Sequence, residues 1–458
     1  MAIRRILIAN RGEIATRIIR TCRQLGIEAV LAASEADRDS LPARLADRTV
    51  CIGPARATDS YLKVETIVQA ALGVGACAIH PGYGFLSERA ALARLCEEHG
   101  IIFIGPTAAQ IDAVGDKLRA RREAEAAAVP VVPGGAIESV VDAMALARRI
   151  GAPLLVKAVG GGGGRGMKRV DHLEDLPAAI ALAASEAGAA FGDARVYLER
   201  FVTHGRHVEV QLLGDGAGRV VHLGERDCSV QRRYQKLIEE TPAPGLTDGF
   251  RHRLHEAAVR FAERLAYRGA GTVEFLVDTE RDSFHFLEMN ARIQVEHPVT
   301  EAVTGIDLVA EQIAIASGDG LRLGQSDIRG RGCAMECRVN AEDPHRDFQP
   351  SPGLVSAVSW PAGPGIRVDT HIAPGSRVPP FYDSLLAKII AHTPDRAATL
   401  ALLRRAIGAT CVTGVATNLG FHAAALADRE FATGAVDTGF VARLLDGRSA
   451  PLQDASRG

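Results

Sequence analysis

Glu274 and Glu288 lie in two runs, GTVEFLVD and FHFLEMN, that read as the arms of a β-hairpin joined by TERDS. Side chains alternate along a strand. Thr272, Glu274 and Leu276 therefore share one face, and so do Phe284, Phe286, Glu288 and Asn290. With Thr279 to Ser283 as the loop, Asp278 pairs with Phe284, and counting back sets Glu274 opposite Glu288. Opposed Cβ atoms are roughly 4.5–5.5 Å apart. Two carboxylates that close repel each other unless a cation lies between them. Mg²⁺ takes few carboxylates together with phosphate oxygens and water, so Glu274, Glu288 and Asn290 make a metal floor for a nucleotide. The alternative, from the hairpin alone, is a solvated carboxylate pair on an exposed sheet face. The next segment, ARIQVEHPVT, carries Arg292, Gln294, Glu296 and His297 without a helical apolar stripe. Charged and amide side chains recurring at alternate positions build a polar site. The chemistry they suit is the use of a metal-bound nucleoside triphosphate to activate a small substrate.

A second chemical signal is the run Gly160 to Gly164 followed by Arg165 and Gly166. Its backbone amides can close over phosphates. Gly161, Gly163 and Gly166 match G-x-G-x-x-G, but the run leads into MKRV, a strand pattern, whereas a dinucleotide fingerprint opens a helix. No GK[ST] follows, so it is not a P-loop either. Strand, glycine loop, strand reads as a flexible lid over a nucleotide. Lys157 precedes the run in LLVKAV, and Lys117 lies in VGDKLRARR. Each alone reads as a surface lysine; beside a lid and a metal floor, both become phosphate ligands.

These residues need a frame. RRILIA, EAVLAA, VCIG, CAIH and IIFIG read as strands with helices between them, which predicts a parallel sheet covered on both faces. After Asn10-Arg11-Gly12 a helix puts Ile14, Ile18, Ile19, Cys22 and Leu25 on one face and closes at Gly26. The loop HPGYGFLSE follows a strand end, where such sheets place ligands. From about Asp112 a helix rich in Ala, Arg and Glu runs to Val129-Pro130. VPVVPGG reads as a linker, and residues 130–202 as a small α+β unit. HVEVQLLGD and GRVVHLGERDCSVQRRYQK alternate with period two. The tail from about Gly332 has short strands, then the helix DRAATLALLRRAIGA. The expected division is 1–112, 113–331 with the lid at 130–202, 332–446, and a tail at 447–458.

At 458 residues the chain is too long for one core. A net charge of -2 provides no basic field for nucleic acid or an anionic membrane. No apolar run has the length of a membrane span, and MAIRRILIANRGE is not a signal peptide, so a cytoplasmic protein is expected. The eight cysteines form no CxxC and no zinc spacing. Cys333 and Cys337 fall on a strand, and the cysteines read as structural thiols.

Lys157 with its glycine loop, Lys117 and EMNARIQVEHPVT together resemble the ATP-grasp superfamily. With ANRGEIA, HPGYGFLSE, GRHVEVQ, ERDCSVQRR, ECRVNAEDP and PPFYDSLLAK, essentially the whole chain resembles biotin carboxylase. That resemblance implies a mixed α/β and α+β protein: a Rossmann-like N-terminal domain, an ATP-grasp domain with a mobile lid, and a C-terminal mixed β/α domain. It implies that Lys117, Lys157 and His207 contact ATP, with Gly163 and Gly164 over its phosphates and Glu199, Arg200 and Val202 along the adenine pocket. Glu274, Glu288 and Asn290 would hold Mg²⁺ or Mn²⁺. Arg292, Gln294 and Val295 would cradle bicarbonate with Glu296 as its base, and Lys236 would hold bicarbonate or carboxyphosphate. Arg338 would face the biotin ureido oxygen, and Tyr83 would line that pocket.

The sequence departs from the family pattern at Tyr234 (usually His), Ala291 (usually Thr), Val159 (usually small and polar) and Arg200 (usually Lys). No biotinyl segment of the AMKM type is present. The expected partners are therefore a biotin carboxyl carrier protein and carboxyltransferase subunits, with the chain itself a homodimer and acetyl-CoA the final acceptor. Rival readings are the equivalent subunit of a propionyl-CoA, methylcrotonyl-CoA, pyruvate or urea carboxylase, a silent ATP-binding scaffold, and an ATP-grasp ligase joining a carboxylate to an amine.

Overall fold

The computed structural model describes residues 3–160 and 167–447. Five strands open the chain: β1 (Arg5–Ile8), β2 (Glu28–Ala33), β3 (Arg48–Cys51), β4 (Ala78–His80) and β5 (Ile102–Phe103). They are all parallel, in the order β3-β2-β1-β4-β5. Alternation along β1 sends Leu7 into one core and Ile6 and Ile8 into another, so both faces are covered, as expected. The helix Gly12–Gln24 buries Ile14, Ile18, Ile19 and Cys22. Leu25 departs from the expected stripe: it is the helix C-cap, past the last turn, and is 48% exposed.

The stretch read as one helix is two, Ala108–Gly115 and Lys117–Ala126. Asp116 breaks it. Its backbone is extended, and its carboxylate accepts the Arg119 N–H at 2.9 Å, a capping role that Asp prefers to a helix interior. The break places Lys117 in the first turn of the second helix.

The small unit that follows is an antiparallel sheet of β6 (Gly134–Ala136), β9 (Val196–Arg200), β7 (Leu154–Ala158) and β8 (Met167–Val170), in that order. VPVVPGG is more than a linker, because it contributes β6. A Cβ at Gly134 would meet the Leu198 carbonyl oxygen at 2.3 Å, so only glycine lets the two backbones pair there. The helices Val140–Ile150 and Leu176–Phe191 supply the core against this sheet. Gly163 and Gly164 lie outside the described residues.

The largest sheet has eight strands: β10 (Arg206–Asp215), β11 (Val220–Arg232), β12 (Gln235–Thr241), β13 (Arg268–Asp278), β14 (Ser283–Asn290), β15 (Cys333–Asn340), β16 (Ile366–Thr370) and β17 (Leu385–Thr393). Their order is β14-β13-β10-β11-β12-β15-β17-β16, with antiparallel pairing throughout. The sheet runs on without a break into the C-terminal segment.

The β13–β14 hairpin pairs Glu274 with Glu288 as counted, but by a different route. Asp278 pairs with Ser283, so the loop is one residue shorter than expected. A register shift between Glu274 and Phe275 then restores the Glu274–Glu288 pair. The bulge also corrects the face assignment. Phe284 and Phe286 join Met289 in the apolar core, so Glu288 and Asn290 emerge on the opposite face from the two phenylalanines. Among the described residues, no helix is long and apolar enough to cross a membrane. All eight cysteines are free.

Candidate functional site

Three carboxylates stand in a row across adjacent strands. Glu209 on β10 is the register partner of Glu274 on β13, which is the partner of Glu288 on β14. On the other side of Glu209 stands Arg226 of β11, fully buried, with Nε 2.6 Å from Glu209 Oε1. Lys236, at the start of β12, reaches across the row. Its Nζ is 2.6 Å from Glu209 Oε2, 2.9 Å from Glu274 Oε1 and 2.7 Å from Glu296 Oε1. His207 Nε2 stands 3.2 Å from Glu274 Oε2.

Burial alone would raise these carboxyls and depress these cations. At Glu274, Lys236 and His207 outweigh burial and hold the carboxyl well below its usual range. At His207 burial pulls the imidazole down, but Glu274 prevails and raises it to about 9. Lys236 is likewise held above its ordinary value, against burial, by Glu209, Glu274 and Glu296. Glu288 goes the other way: burial first, and then the charge of Glu274, push its carboxyl up. A divalent cation beside the two would bring the Glu288 carboxyl back down. Asn290 stands within reach, its Nδ2 donating to Glu274 Oε1 at 2.9 Å, so the donor set fits a magnesium-like ion completed by phosphate oxygens. A second set among the described residues is His207, Glu209 and Glu274, with ligand atoms within 4.8 Å of one another.

Lys157, on β7, and Lys117 both stand near enough to Glu288 to oppose the rise of its carboxyl. Burial lowers the Lys117 ammonium, with Glu288 its strongest opposing charge. Lys157 Nζ donates to Glu199 Oε2 at 3.0 Å and lies over the Tyr197 ring. Arg200 and Val202 are not drawn into the carboxylate row. Arg200 ends β9, its N–H donating to the Pro133 carbonyl at 2.8 Å, and half-buried Val202 lies on the crossing to β10.

The segment after β14 is polar and pinned. Arg292 donates through Nε to Glu88 Oε2 at 2.9 Å and through a terminal nitrogen to Asn290 Oδ1 at 2.8 Å. Glu88 also accepts the Ala291 N–H at 3.0 Å, so the loop after β4 does reach the site. Gln294 Nε2 donates to Glu274 Oε1 at 3.0 Å. Glu296, fully buried, is bracketed by Lys236 and by Arg338 of β15, 2.9 Å from its Oε2. Burial and Glu209 push the Glu296 carboxyl up, but Lys236 and Arg338 outweigh them and hold it below the usual range. Arg338 donates its Nε to Glu239 Oε1 at 2.6 Å. Glu336, the register partner of Glu239, has neither carboxyl oxygen hydrogen-bonded among the described residues, and burial pushes it well up. The Val295 carbonyl accepts from Lys388 at 2.8 Å, and the Tyr83 hydroxyl donates to Glu13.

Several of these residues are not singled out by the sequence reading. Alternation in HVEVQ was enough to set Glu209 beside His207. Nothing local signals Arg226, Glu239, Glu336, Glu13, Lys388 or Glu88, which meet the site across long sequence separations.

Behind Arg338 its carbonyl accepts from His422 Nε2 at 2.7 Å and from Asn418 Nδ2 at 2.9 Å. Burial holds His422 down to about 4, and holds His80 and His371 down to about 3. Unfolding frees each ring to protonate near its usual value of about 6.5. The unfolded chain therefore takes up more protons below that value, and stability falls as pH drops from about 6.5 toward 4, by up to about 1.4 kcal/mol per pH unit for each ring. Thermal midpoints measured across this window check it. His422→Gln should flatten the fall, and an unchanged slope would remove His422 from this account.

Three family models match in succession. Residues 2–111 match the N-terminal domain of biotin carboxylase, 116–323 the ATP-binding domain of the carbamoyl-phosphate synthase L chain, and 336–443 the C-terminal domain of biotin carboxylase. A biotin carboxylase of Nostoc sp. is 50% identical over 95% of this chain and 98% of its own length. Biotin carboxylase 1 of Bacillus subtilis is 48% identical over 96% and 98%. Among solved structures, a biotin carboxylase–β,γ-ATP complex from Campylobacter jejuni superposes with TM-score 0.94 at 44% identity, covering 96% of this chain and 99% of that one. The biotin carboxylase domain dimer of Hydrogenobacter thermophilus 2-oxoglutarate carboxylase, in complex with MgADP, ADP and bicarbonate, gives 0.94 at 43%, covering 97% and 99%. Matched along almost its entire length, this chain belongs to the biotin carboxylase family.

Proposed function

We propose that this protein carboxylates biotin held on a separate carrier protein, using ATP and bicarbonate, as the first half-reaction of an acyl-CoA carboxylase with acetyl-CoA as final acceptor. The observation that carries the reading is the placement of Glu296 between Lys236 and Arg338, at the edge of a carboxylate row suited to a metal–nucleotide complex. Support for biotin carboxylation comes from the Nostoc and Bacillus relatives, both biotin carboxylases, which align with almost the whole of this chain. Residues 1–112, 113–331 and 332–446 serve as the three domains of the reading, with 130–202 as a lid.

In the proposed reaction Arg292, Gln294 and the Val295 N–H cradle bicarbonate, and Glu296 takes its proton. A carboxylate held ionised by two cations is in the correct state for this at neutral pH. The resulting oxyanion attacks the γ-phosphate of ATP, positioned by Lys117, Lys157 and His207, and ADP leaves. Lys236 balances charge on the carboxyphosphate formed. This decays to CO₂ and phosphate, the phosphate removes the proton from the biotin ureido nitrogen, and that nitrogen adds to the CO₂. Arg338 stabilises the enolate-like ureido oxygen, a task for a guanidinium that stays charged. Tyr83 walls the biotin pocket. Glu274, Glu288 and Asn290 would hold Mg²⁺ or Mn²⁺, which supplies charge neutralisation between phosphate oxygens. The dimeric state of the Hydrogenobacter domain supports a homodimer.

The test is ATP hydrolysis with and without bicarbonate, then with free biotin or a biotinylated carrier domain. Hydrolysis that requires bicarbonate and rises with biotin is expected. If neither form of biotin raises the rate, the reading fails. Reconstitution with a carboxyltransferase partner, offered acetyl-CoA, propionyl-CoA or pyruvate, tests the acceptor.

A further inference from the structure

Behind the site lies a buried ion pair that the reaction above does not use. Glu13 is in the first turn of the helix Gly12–Gln24, and Lys388 is midway along β17. They are 2% and 0% exposed, and Lys388 Nζ is 3.1 Å from Glu13 Oε2. Each partner also holds a wall of the site. Glu13 Oε1 accepts from the Tyr83 hydroxyl, and Lys388 donates to the Val295 carbonyl at 2.8 Å. That carbonyl belongs to the planar peptide joining Val295 to Glu296, so fixing it sets the orientation in which the chain delivers the Glu296 side chain. Lys388 is also the register partner of Arg338. One ion pair thus joins the Tyr83 loop, the Glu296 peptide and the strand beside Arg338, groups that come from three distant stretches of sequence.

Net stabilisation is a weak account of such a pair. Desolvating two charges offsets most of their attraction, and an apolar pair of similar volume often folds as well. Directed contacts to both walls are what an apolar pair could not supply.

We propose that Glu13 and Lys388 are positioning residues of the carboxylation, holding the Tyr83 wall and the Glu296 peptide in fixed relation across the domains. The proposal rests on the roles assigned above to Tyr83 and Glu296. The double variant Glu13→Gln/Lys388→Met removes both charges of the pair together, and it is assayed as the full chain beside the wild type. The expected result is a rise of about tenfold in KM for both bicarbonate and biotin, a fall in kcat, and an unmoved KM for ATP, because a shift of about 1 Å at reacting groups is costly while the nucleotide site is untouched. Lys388→Arg, which keeps charge and donors, should recover part of the bicarbonate KM. A folded double variant with wild-type KM for both substrates overturns the proposal, as does a KM for ATP that rises in step with the others. Should the double variant not fold, Glu13→Gln alone retains an acceptor for Tyr83 and should raise both KM values about tenfold, the lower end for loss of a supporting contact; unchanged values overturn the proposal. A wild type without bicarbonate-dependent hydrolysis overturns the underlying reading first, and this inference with it.

Discussion

Glu296→Gln lowers bicarbonate-dependent ATP hydrolysis by ~10²–10⁴-fold, the contribution expected of a positioned general base, and leaves the KM for ATP unchanged. The substitution keeps shape and removes the group that accepts the proton. It does not orphan the neighbouring cations. Lys236 retains Glu209 and Glu274, and Arg338 retains Glu239. The fold should therefore survive, and a thermal midpoint near that of the wild type checks this before rates are compared. Steady-state hydrolysis at saturating ATP, with bicarbonate varied, is the measurement. If the folded variant keeps a rate within about tenfold of wild type, below the range for a positioned base, Glu296 is not the base.

Arg338→Gln should cut biotin-dependent turnover by ~10²–10³-fold, the loss expected for a charge-stabilising donor at a developing oxyanion. Hydrolysis in the absence of biotin should suffer much less. The structure adds a stability cost, since Arg338 is the shared cation of Glu239 and Glu296. Removing one partner of a buried pair costs about 3–5 kcal/mol. The companion variant Arg338→Gln/Glu239→Gln removes the stranded charge, so it should recover much of the melting temperature without recovering biotin carboxylation. That separation of fold from chemistry is the decisive readout. Equal losses in nucleotide binding and biotin turnover would deny Arg338 its assigned place.

Much of this protein was legible in the residues. The parallel N-terminal sheet follows from alternating short apolar strands and helices, because covering both faces of a sheet demands that pattern. The Glu274–Glu288 pair also follows from strand counting, although two departures, a shorter loop and a bulge, cancelled in the register. The resemblance carried by GGGGGRGM and EMNARIQVEHPVT supplied the site roles, which local patterning alone could not assign.

What the sequence by itself determined were features that depend on near neighbours: which runs form strands and helices in the N-terminal sheet, most of the first helix's buried stripe, and the polar character of residues 288–296; the bulge at Glu274 already reversed the face on which Phe284 and Phe286 were expected. Even there Asp116 divided a helix, because its side chain satisfies an N–H better as a cap than inside the helix. The tertiary structure alone decided the partners. Lys236 meets three carboxylates from three different segments, and Lys388 meets Glu13 and Val295. Local periodicity says which face a charge occupies only where no bulge shifts the register. Which opposite charge shares its buried space depends on strand order and domain packing, and in a low-dielectric interior that neighbour decides whether a group is ionised, pinned or free to react.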